Sequence, residues 1–207
     1  MKKAIKSIGW IVAVPLALQA TTALAQVQPN THEVDVYAGA LFGDDLTKTS
    51  ISGSTPKLDD NVTFGVRYTY QFLPTWAVEL SSGFTPTSVK GAAGGDIDLD
   101  LTTLDADLVY NFNLSPDGRY VGYVLGGAGY AFADLDRPIQ GVANGRAVSV
   151  NDDDGFTANA GVGAKYFATD HLAFRLEGRY RYFDKLVDSL DDSLNGVETT
   201  VAVGWRF

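Results

Sequence analysis

Beyond about residue 31 the chain alternates apolar and polar residues with a period of two, broken at regular intervals by clusters of Gly, Pro, Asn and Asp. A period of two puts successive side chains on opposite faces of an extended segment, so the pattern predicts strands and not helices. Eight such runs lie near residues 32–43, 61–72, 75–86, 99–112, 118–132, 155–168, 171–183 and 196–207. The connections alternate in length. Leu73-Pro74-Thr75, Asn113 to Asp117 and Thr169-Asp170 are short, whereas 44–60, 87–98, 133–154 and 184–195 are long. Short turns at one end and long loops at the other characterise an up-and-down transmembrane barrel.

Which face is apolar separates a barrel from a soluble sandwich. In the last run Thr199, Val201, Val203, Trp205 and Phe207 alternate with Glu198, Thr200, Ala202, Gly204 and Arg206. In the seventh, Leu172, Phe174, Leu176, Tyr180 and Tyr182 alternate with Arg175, Glu177, Arg179 and Arg181. The second run sets Val62, Phe64, Val66, Tyr68, Tyr70 and Phe72 against Thr63, Gly65, Arg67, Thr69 and Gln71. The third sets Trp76, Val78, Leu80 and Phe84 against Ala77, Glu79, Ser81 and Gly83. An apolar exterior around a polar interior follows. Backbone groups left unpaired in hydrocarbon cost several kcal/mol, which only a closed sheet avoids, and about nine to eleven tilted residues suffice to cross. The expected fold is all-β: an eight-stranded antiparallel up-and-down transmembrane β-barrel with a polar interior. Aromatic residues then form two belts. Tyr70, Phe72, Trp76, Tyr110, Phe112, Tyr120, Tyr166, Trp205 and Phe207 fall at the short-turn end, and Phe42, Phe84, Phe132, Phe156 and Tyr182 at the long-loop end. Two runs resist this reading: Asp96, Asp98 and Asp100 break the outward parity of Leu104, Ala106, Leu108 and Tyr110, and the glycine-rich fifth run fits either register. A bulge, or a strand continuing above the membrane, accounts for the break.

The amino terminus changes the picture in one respect. Lys2, Lys3 and Lys6 precede an apolar stretch, Ile8 to Leu18, and Ala23-Leu24-Ala25 supplies the small residues of a cleavage site. Residues 1–25 therefore read as a cleaved signal peptide and 26–207 as one barrel domain, exported across the inner membrane. The apolar stretch is too short for a spanning helix. Cysteine is absent, so neither a disulfide framework nor a lipid-anchored cysteine is expected. Removing residues 1–25, with their three lysines, takes the formal charge from −9 to −12, which makes nucleic acid an improbable partner.

Three segments resemble the small outer-membrane barrels of the OmpA transmembrane-domain, OmpX and OmpW type. They are Val201-Ala202-Val203-Gly204-Trp205-Arg206-Phe207, ending on an aromatic residue; Leu172 to Tyr182, of the form apolar-x-Arg-x-Glu-x-Arg-Tyr; and the glycine-rich Tyr120 to Tyr130. The resemblance covers the chain beyond the leader in architecture. It implies the outer membrane of a Gram-negative bacterium, with Trp205 and Phe207 in the signal read by the barrel-assembly machinery. That machinery, periplasmic chaperones, outer-membrane lipids and lipopolysaccharide are then the implied partners, and the protein is expected to be a monomer. The sequence stops at Phe207, so the peptidoglycan-binding domain that follows the barrel in OmpA is not expected, nor is a cell-wall tether.

The candidate chemistry lies on the inward face. Glu33, Asp35, Glu79, Asp105, Asp107, Glu177 and Glu198 face Arg67, Lys165, Arg175, Arg179, Arg181 and Arg206. An eight-stranded barrel is just wide enough for its own side chains to fill, so these groups are expected to plug the lumen as paired charge, with a gate as the alternative. Paired opposite charges favour ionised carboxylates, not the raised pKa of a general acid, so no enzyme, cofactor or catalytic residue is expected. His32 and His171 both fall at the periplasmic ends of strands, away from the outer rim where enzymes of such barrels hold their catalytic histidine; they read as interfacial side chains. Gly126, Gly127, Gly129, Gly161 and Gly163 are expected to make room for interior Arg and Tyr side chains, and no helix follows that would make them a phosphate loop. The long loops, with the second extended to residue 100, hold sixteen aspartates, among them Asp152-Asp153-Asp154 and Asp191-Asp192. These lack the ligand spacing of an EF-hand, so no metal residue is assigned. The resulting expectation is a non-enzymatic structural or surface-interaction role, the barrel anchoring acidic loops. The alternative is a narrow gated channel or an OmpW-like conduit for small hydrophobic solutes, against which the charged or small inner positions count.

Overall fold

The computed structural model describes residues 27–43, 57–58, 61–90, 97–135, 139–143, 146–150, 153–184 and 194–207. The expected signal peptide, 1–25, lies outside the described residues, as do Asp44, Asp45, Asp59, Asp60, Asp96, Asp136, Asp152, Asp188, Asp191 and Asp192 of the acidic loops. Along the chain run β1 (Thr31–Gly43), β2 (Lys57–Leu58), β3 (Asn61–Gln71), β4 (Trp76–Lys90), β5 (Ile97–Asn113), β6 (Tyr120–Leu135), β7 (Ile139–Ala143), β8 (Arg146–Val150), β9 (Asp153–Phe167), β10 (Leu172–Asp184) and β11 (Leu194–Arg206). Eight of them form a closed antiparallel ring. The order β4-β3-β1-β11-β10-β9-β6-β5 returns to its start through the β4–β5 pairing, and β1 against β11 brings the two ends of the barrel sequence together. No sheet edge then faces hydrocarbon.

Side chains alternate strictly between the two faces, as β10 shows with inward Arg175, Glu177, Arg179 and Arg181 buried and outward Phe174, Leu176, Tyr180 and Tyr182 exposed. Val36, Leu80, Val162, Leu176 and Val201 form an exposed aliphatic belt. Such a contiguous apolar band is not tolerated in water; against lipid it is the favoured surface. Aromatic rings pair across neighbouring strands toward the ends, Trp76 with Tyr110 and Tyr120 with Tyr166, each at 4.9 Å between centroids, and Phe64 with Phe84 at 5.4 Å.

The short turns are closed locally. Leu73 and Trp76 exchange backbone hydrogen bonds of 3.1 and 3.2 Å between β3 and β4. Between β5 and β6, Gly118 takes φ 68°, which costs glycine little. There the Ser115 hydroxyl donates to Asp117 at 2.5 Å and holds that carboxyl below its ordinary value, helped by the N–H of Arg119. Thr169 Oγ1 accepts from the N–H groups of His171 and Leu172 between β9 and β10.

The fourth and fifth runs contain no shift of parity. β5 is 17 residues long and alternates throughout, with Leu99, Leu101 and Thr103 inward in step with Asp105 and Asp107. Asp100 faces outward, opposite Asp134 of β6. The strand therefore continues above the membrane, where its outer face meets water and carries aspartate. Residues 139–150, expected as loop, instead hold a ribbon in which β7 and β8 pair only with each other.

Candidate functional site

The lumen is where the charged side chains meet. Glu33, Asp35, Arg67, Glu79, Asp105, Asp107, Lys165, Arg175, Glu177, Arg179, Arg181, Glu198 and Arg206 are all buried inside the barrel. Parity alone puts them there, since each sits at an inward position of its strand. At the centre Arg175 of β10 donates to Glu79 of β4 across the lumen and to Glu177 on its own strand, both at 2.5 Å. Arg67 of β3 donates to Glu177 and to Thr200, both at 3.0 Å. Arg179 adds Glu177 and Asp107 at 3.1 Å each. Higher up, Arg181 bridges Asp105 and Glu198 at 2.7 Å each. Toward the periplasmic end Lys165 pairs with Glu33, and Asp35 lies 3.4 Å from Arg175. Arg206 closes the mouth, donating to the Asp170 carbonyl and lying 4.7 Å from the Phe167 ring centre.

Arg67 and Glu79, on neighbouring strands, form an ion pair of 3.8 Å, with Arg67 opposite Ser81 in register. Its shorter partner is Glu177, from the far wall. That distance across the lumen cannot be read from a hairpin register.

Interior Tyr side chains were expected beside the glycines, but which aromatic and aliphatic residues line the lumen is what sequence reasoning missed. The inner wall is not only charged or small, as expected; Tyr37, Tyr123, Leu41, Leu99, Leu101, Leu125, Phe167 and Phe183 are buried as well. Parity carried the signal, because Tyr37 and Tyr123 occupy inward positions. Tyr123 donates to Glu177 at 2.7 Å and accepts from Arg175 Nε at 2.6 Å, and the guanidinium lies 4.4 Å from its ring centre. Tyr37 packs under Arg67 at 4.1 Å. A Cβ at Gly163 would collide with Tyr123, and one at Gly65 or Gly83 with Tyr37. Gly127 and Gly129 give room to Asp107 and Asp105, whereas Gly126, expected to do likewise, faces outward.

The two histidines lie at the periplasmic rim. His32 Nδ1 shares a hydrogen bond of 2.6 Å with the Tyr68 hydroxyl, and its ring stacks on Tyr70 and Phe207. His171 donates from Nδ1 to the Arg206 carbonyl at 2.9 Å and stacks on Trp205 at 5.4 Å. Among the described residues no group of three or more His, Cys, Asp or Glu is disposed to hold a metal ion.

A family model described as "Outer membrane protein beta-barrel domain" matches residues 12–207. The chain belongs to this family. The barrel is also similar in fold to OprG of Pseudomonas aeruginosa, at TM-score 0.59 and 16% identity over 89% of this chain and 99% of that one. Neisserial surface protein A gives TM-score 0.55 and 14% identity over 86% and 97%. Ail, the attachment invasion locus protein of Yersinia pestis, in complex with sucrose octasulfate, gives 0.52 and 20% over 87% and 100%. No curated protein matches the sequence. In outer-membrane barrels generally the short turns face the periplasm and the long connections the outside.

Proposed function

We propose that the barrel is a closed, non-enzymatic anchor that holds acidic loops at the cell surface, with a structural or surface-interaction role. The observation that carries this reading is the ion-paired cross-brace of Arg67, Glu79, Arg175, Glu177 and Arg179, whose side chains are at most 1% exposed. Removing one partner of such a buried pair typically costs about 3–5 kcal/mol, which favours a lumen kept closed by the intact brace. Asp100, Asp134, Asp154 and Asp184, exposed at the upper strand ends, extend the acidic surface that meets lipopolysaccharide and solvent. Leu41, Leu99, Leu101 and Phe183 are 5% exposed or less; among the described residues they occupy the upper lumen, which counts against an open hydrophobic conduit. The lumen carboxylates are engaged by arginine or, at Glu33, by Lys165, and the histidines by Tyr68 and the Arg206 carbonyl, which supports a non-enzymatic reading. Export through residues 1–25, assembly through Trp205 and Phe207 by the barrel-assembly machinery with periplasmic chaperones, and a monomeric state belong to the same proposal.

Single-channel recording of the purified barrel in a planar bilayer tests it. The expected trace shows no discrete conductance across the accessible voltage range. Reproducible steps, enlarged in Arg175→Ala, would replace the anchor with the gated channel.

A further inference from the structure

At the short-turn end of the barrel the chain does not run straight into β1. Asn30 takes φ 59°, a left-handed backbone that few residues other than glycine adopt and that asparagine tolerates. Three hydrogen bonds hold this turn. Asn30 N–H donates to the Gln71 carbonyl at 2.7 Å, the Tyr70 hydroxyl to Asn30 Oδ1 at 3.2 Å, and Thr31 Oγ1 to the Gln28 carbonyl at 2.7 Å. The residues before Asn30 are thereby folded back over the mouth of the lumen. Val27, half-buried, packs against the buried cluster of Val121, Phe167 and Ala173, which belong to β6, β9 and β10. In the ring of eight, β6 stands four strands from β1, so the segment reaches from one wall toward the opposite one. Beneath Val27 is a cavity of about 20 Å³, whose walls include Thr31, Gln71, Asn111, Lys165, Phe167 and Arg206. These come from β1, β3, β5, β9 and β11, all round the ring, and enclose the space of about one water molecule.

We infer that residues 27–30 are a lid on this mouth of the lumen, with Asn30 as its hinge and Val27 as its stopper. Among the described residues, Val27 is the one lining residue of the cavity that belongs to no strand, so the segment can lift without disturbing the ring. With the lid seated, Asn111 and the Lys165–Glu33 pair are shut off from water at the short-turn end. With it lifted, water and small ions reach them while the ion-paired brace deeper in the lumen stays intact. The upper lumen is filled separately, by Leu41, Leu99, Leu101 and Phe183. Because the lid lies outside the brace, it closes this mouth in an anchor and in a channel alike.

The chain has no cysteine, so Asn111→Cys places a single thiol in the cavity and Asn113→Cys places one on the exposed end of the same strand. The probe is a small water-soluble methanethiosulfonate, reacted with barrel purified from the outer membrane, its amino terminus checked by intact mass. None of the substitutions removes a backbone hydrogen bond between barrel strands, and heat-modifiable migration reports that each variant is folded. Asn111→Cys is expected to react about ten-fold more slowly than Asn113→Cys, because the reagent must wait for the lid to open. Adding Val27→Gly is expected to speed its reaction about ten-fold, the factor that partial burial of a valine side chain contributes. Asn30→Val, whose branched side chain disfavours the left-handed turn, is expected to act in the same direction with Val27 still present. Asn30→Gly keeps the turn and should leave the rate within about two-fold of that of Asn111→Cys alone. Equal rates for Asn111→Cys and Asn113→Cys in the otherwise unaltered barrel mean an open mouth and overturn the inference. A slow rate that neither Val27→Gly nor Asn30→Val raises assigns the seal to the strands themselves and overturns it too. Acceleration by Asn30→Gly as large as that by Asn30→Val overturns the hinge.

Discussion

Tyr123 occupies the middle of the lumen because Gly163, its register partner on β9, has no side chain to exclude it. The phenol then joins Arg175 to Glu177, so its hydroxyl works as donor and acceptor in one buried chain. Tyr123→Phe keeps the ring and strands both partners; the expected loss is about 1–3 kcal/mol in urea unfolding in lipid or detergent. Gly163→Ala forces the ring to move and is expected to cost about 1–3 kcal/mol by overpacking. Arg67 distinguishes the two walls it touches. Arg67→Ala is expected to destabilise by about 3–5 kcal/mol. In double-variant cycles, with couplings of about 0.5–3 kcal/mol, the coupling to Glu177→Ala should exceed that to Glu79→Ala, following 3.0 against 3.8 Å. Equal couplings would mean that Arg67 answers to the field of the whole lumen and not to a particular carboxylate. Inward parity made these groups legible as a set. Their partners were not legible, because Arg67 and Glu177 are 110 residues apart in the chain and meet only after the ring closes.

At the level of elements, strand existence and the short turns followed from alternation and from Leu73-Pro74-Thr75, Asn113 to Asp117 and Thr169-Asp170. Element length did not. β5 and β6 run on into water, where the outer face turns from apolar to aspartate while the inner face keeps Leu99, Leu101, Ala131 and Ala133. A reading that expects one apolar face per strand sees the polarity of that face reverse and reports a break, although the parity is intact. The β7–β8 ribbon was illegible for another reason: Ile139-Gln140-Gly141-Val142-Ala143 is short and its alternation ends at Asn144-Gly145. Because the ribbon pairs only with itself, replacing 139–150 by a short Gly/Ser linker removes no barrel hydrogen bond, and a shorter connection costs little entropy. The variant is expected to refold in detergent with heat-modifiable migration and an unfolding midpoint like that of the parent. Failure to refold would make the ribbon part of the barrel's core.

Closure is a property of the whole molecule, and it rests on the β1–β11 seam, where the last strand meets the first. At the periplasmic end of the seam His32 N–H donates to the Phe207 carbonyl at 3.0 Å and Phe207 N–H to the His32 carbonyl at 2.9 Å. The Phe207 ring stacks on His32 at 5.7 Å, and Trp205 is flanked on the other side by His171. Both histidines of the chain thus brace the terminal strand, a pairing that sequence position alone could not show. Deleting Phe207 removes two hydrogen bonds worth about 0.5–1.5 kcal/mol each and one ring from a rim that is already exposed, which leaves the rest of the register from Glu33–Arg206 to Gly43–Gly196 in place. If Phe207 serves chiefly as an assembly signal, two measurements must part company. Outer-membrane levels in cells should fall several-fold, while the purified variant, once refolded, should unfold within about 1–3 kcal/mol of the parent. His32→Ala supplies the contrast, since it keeps Phe207 and its backbone hydrogen bonds and loses the ring's stacking and its bond to the Tyr68 hydroxyl, and should assemble in cells at nearly parental levels. Normal cellular levels without Phe207 would sink the assembly role, and equal loss in cells for His32→Ala and the deletion would assign the effect to the stability of the seam instead.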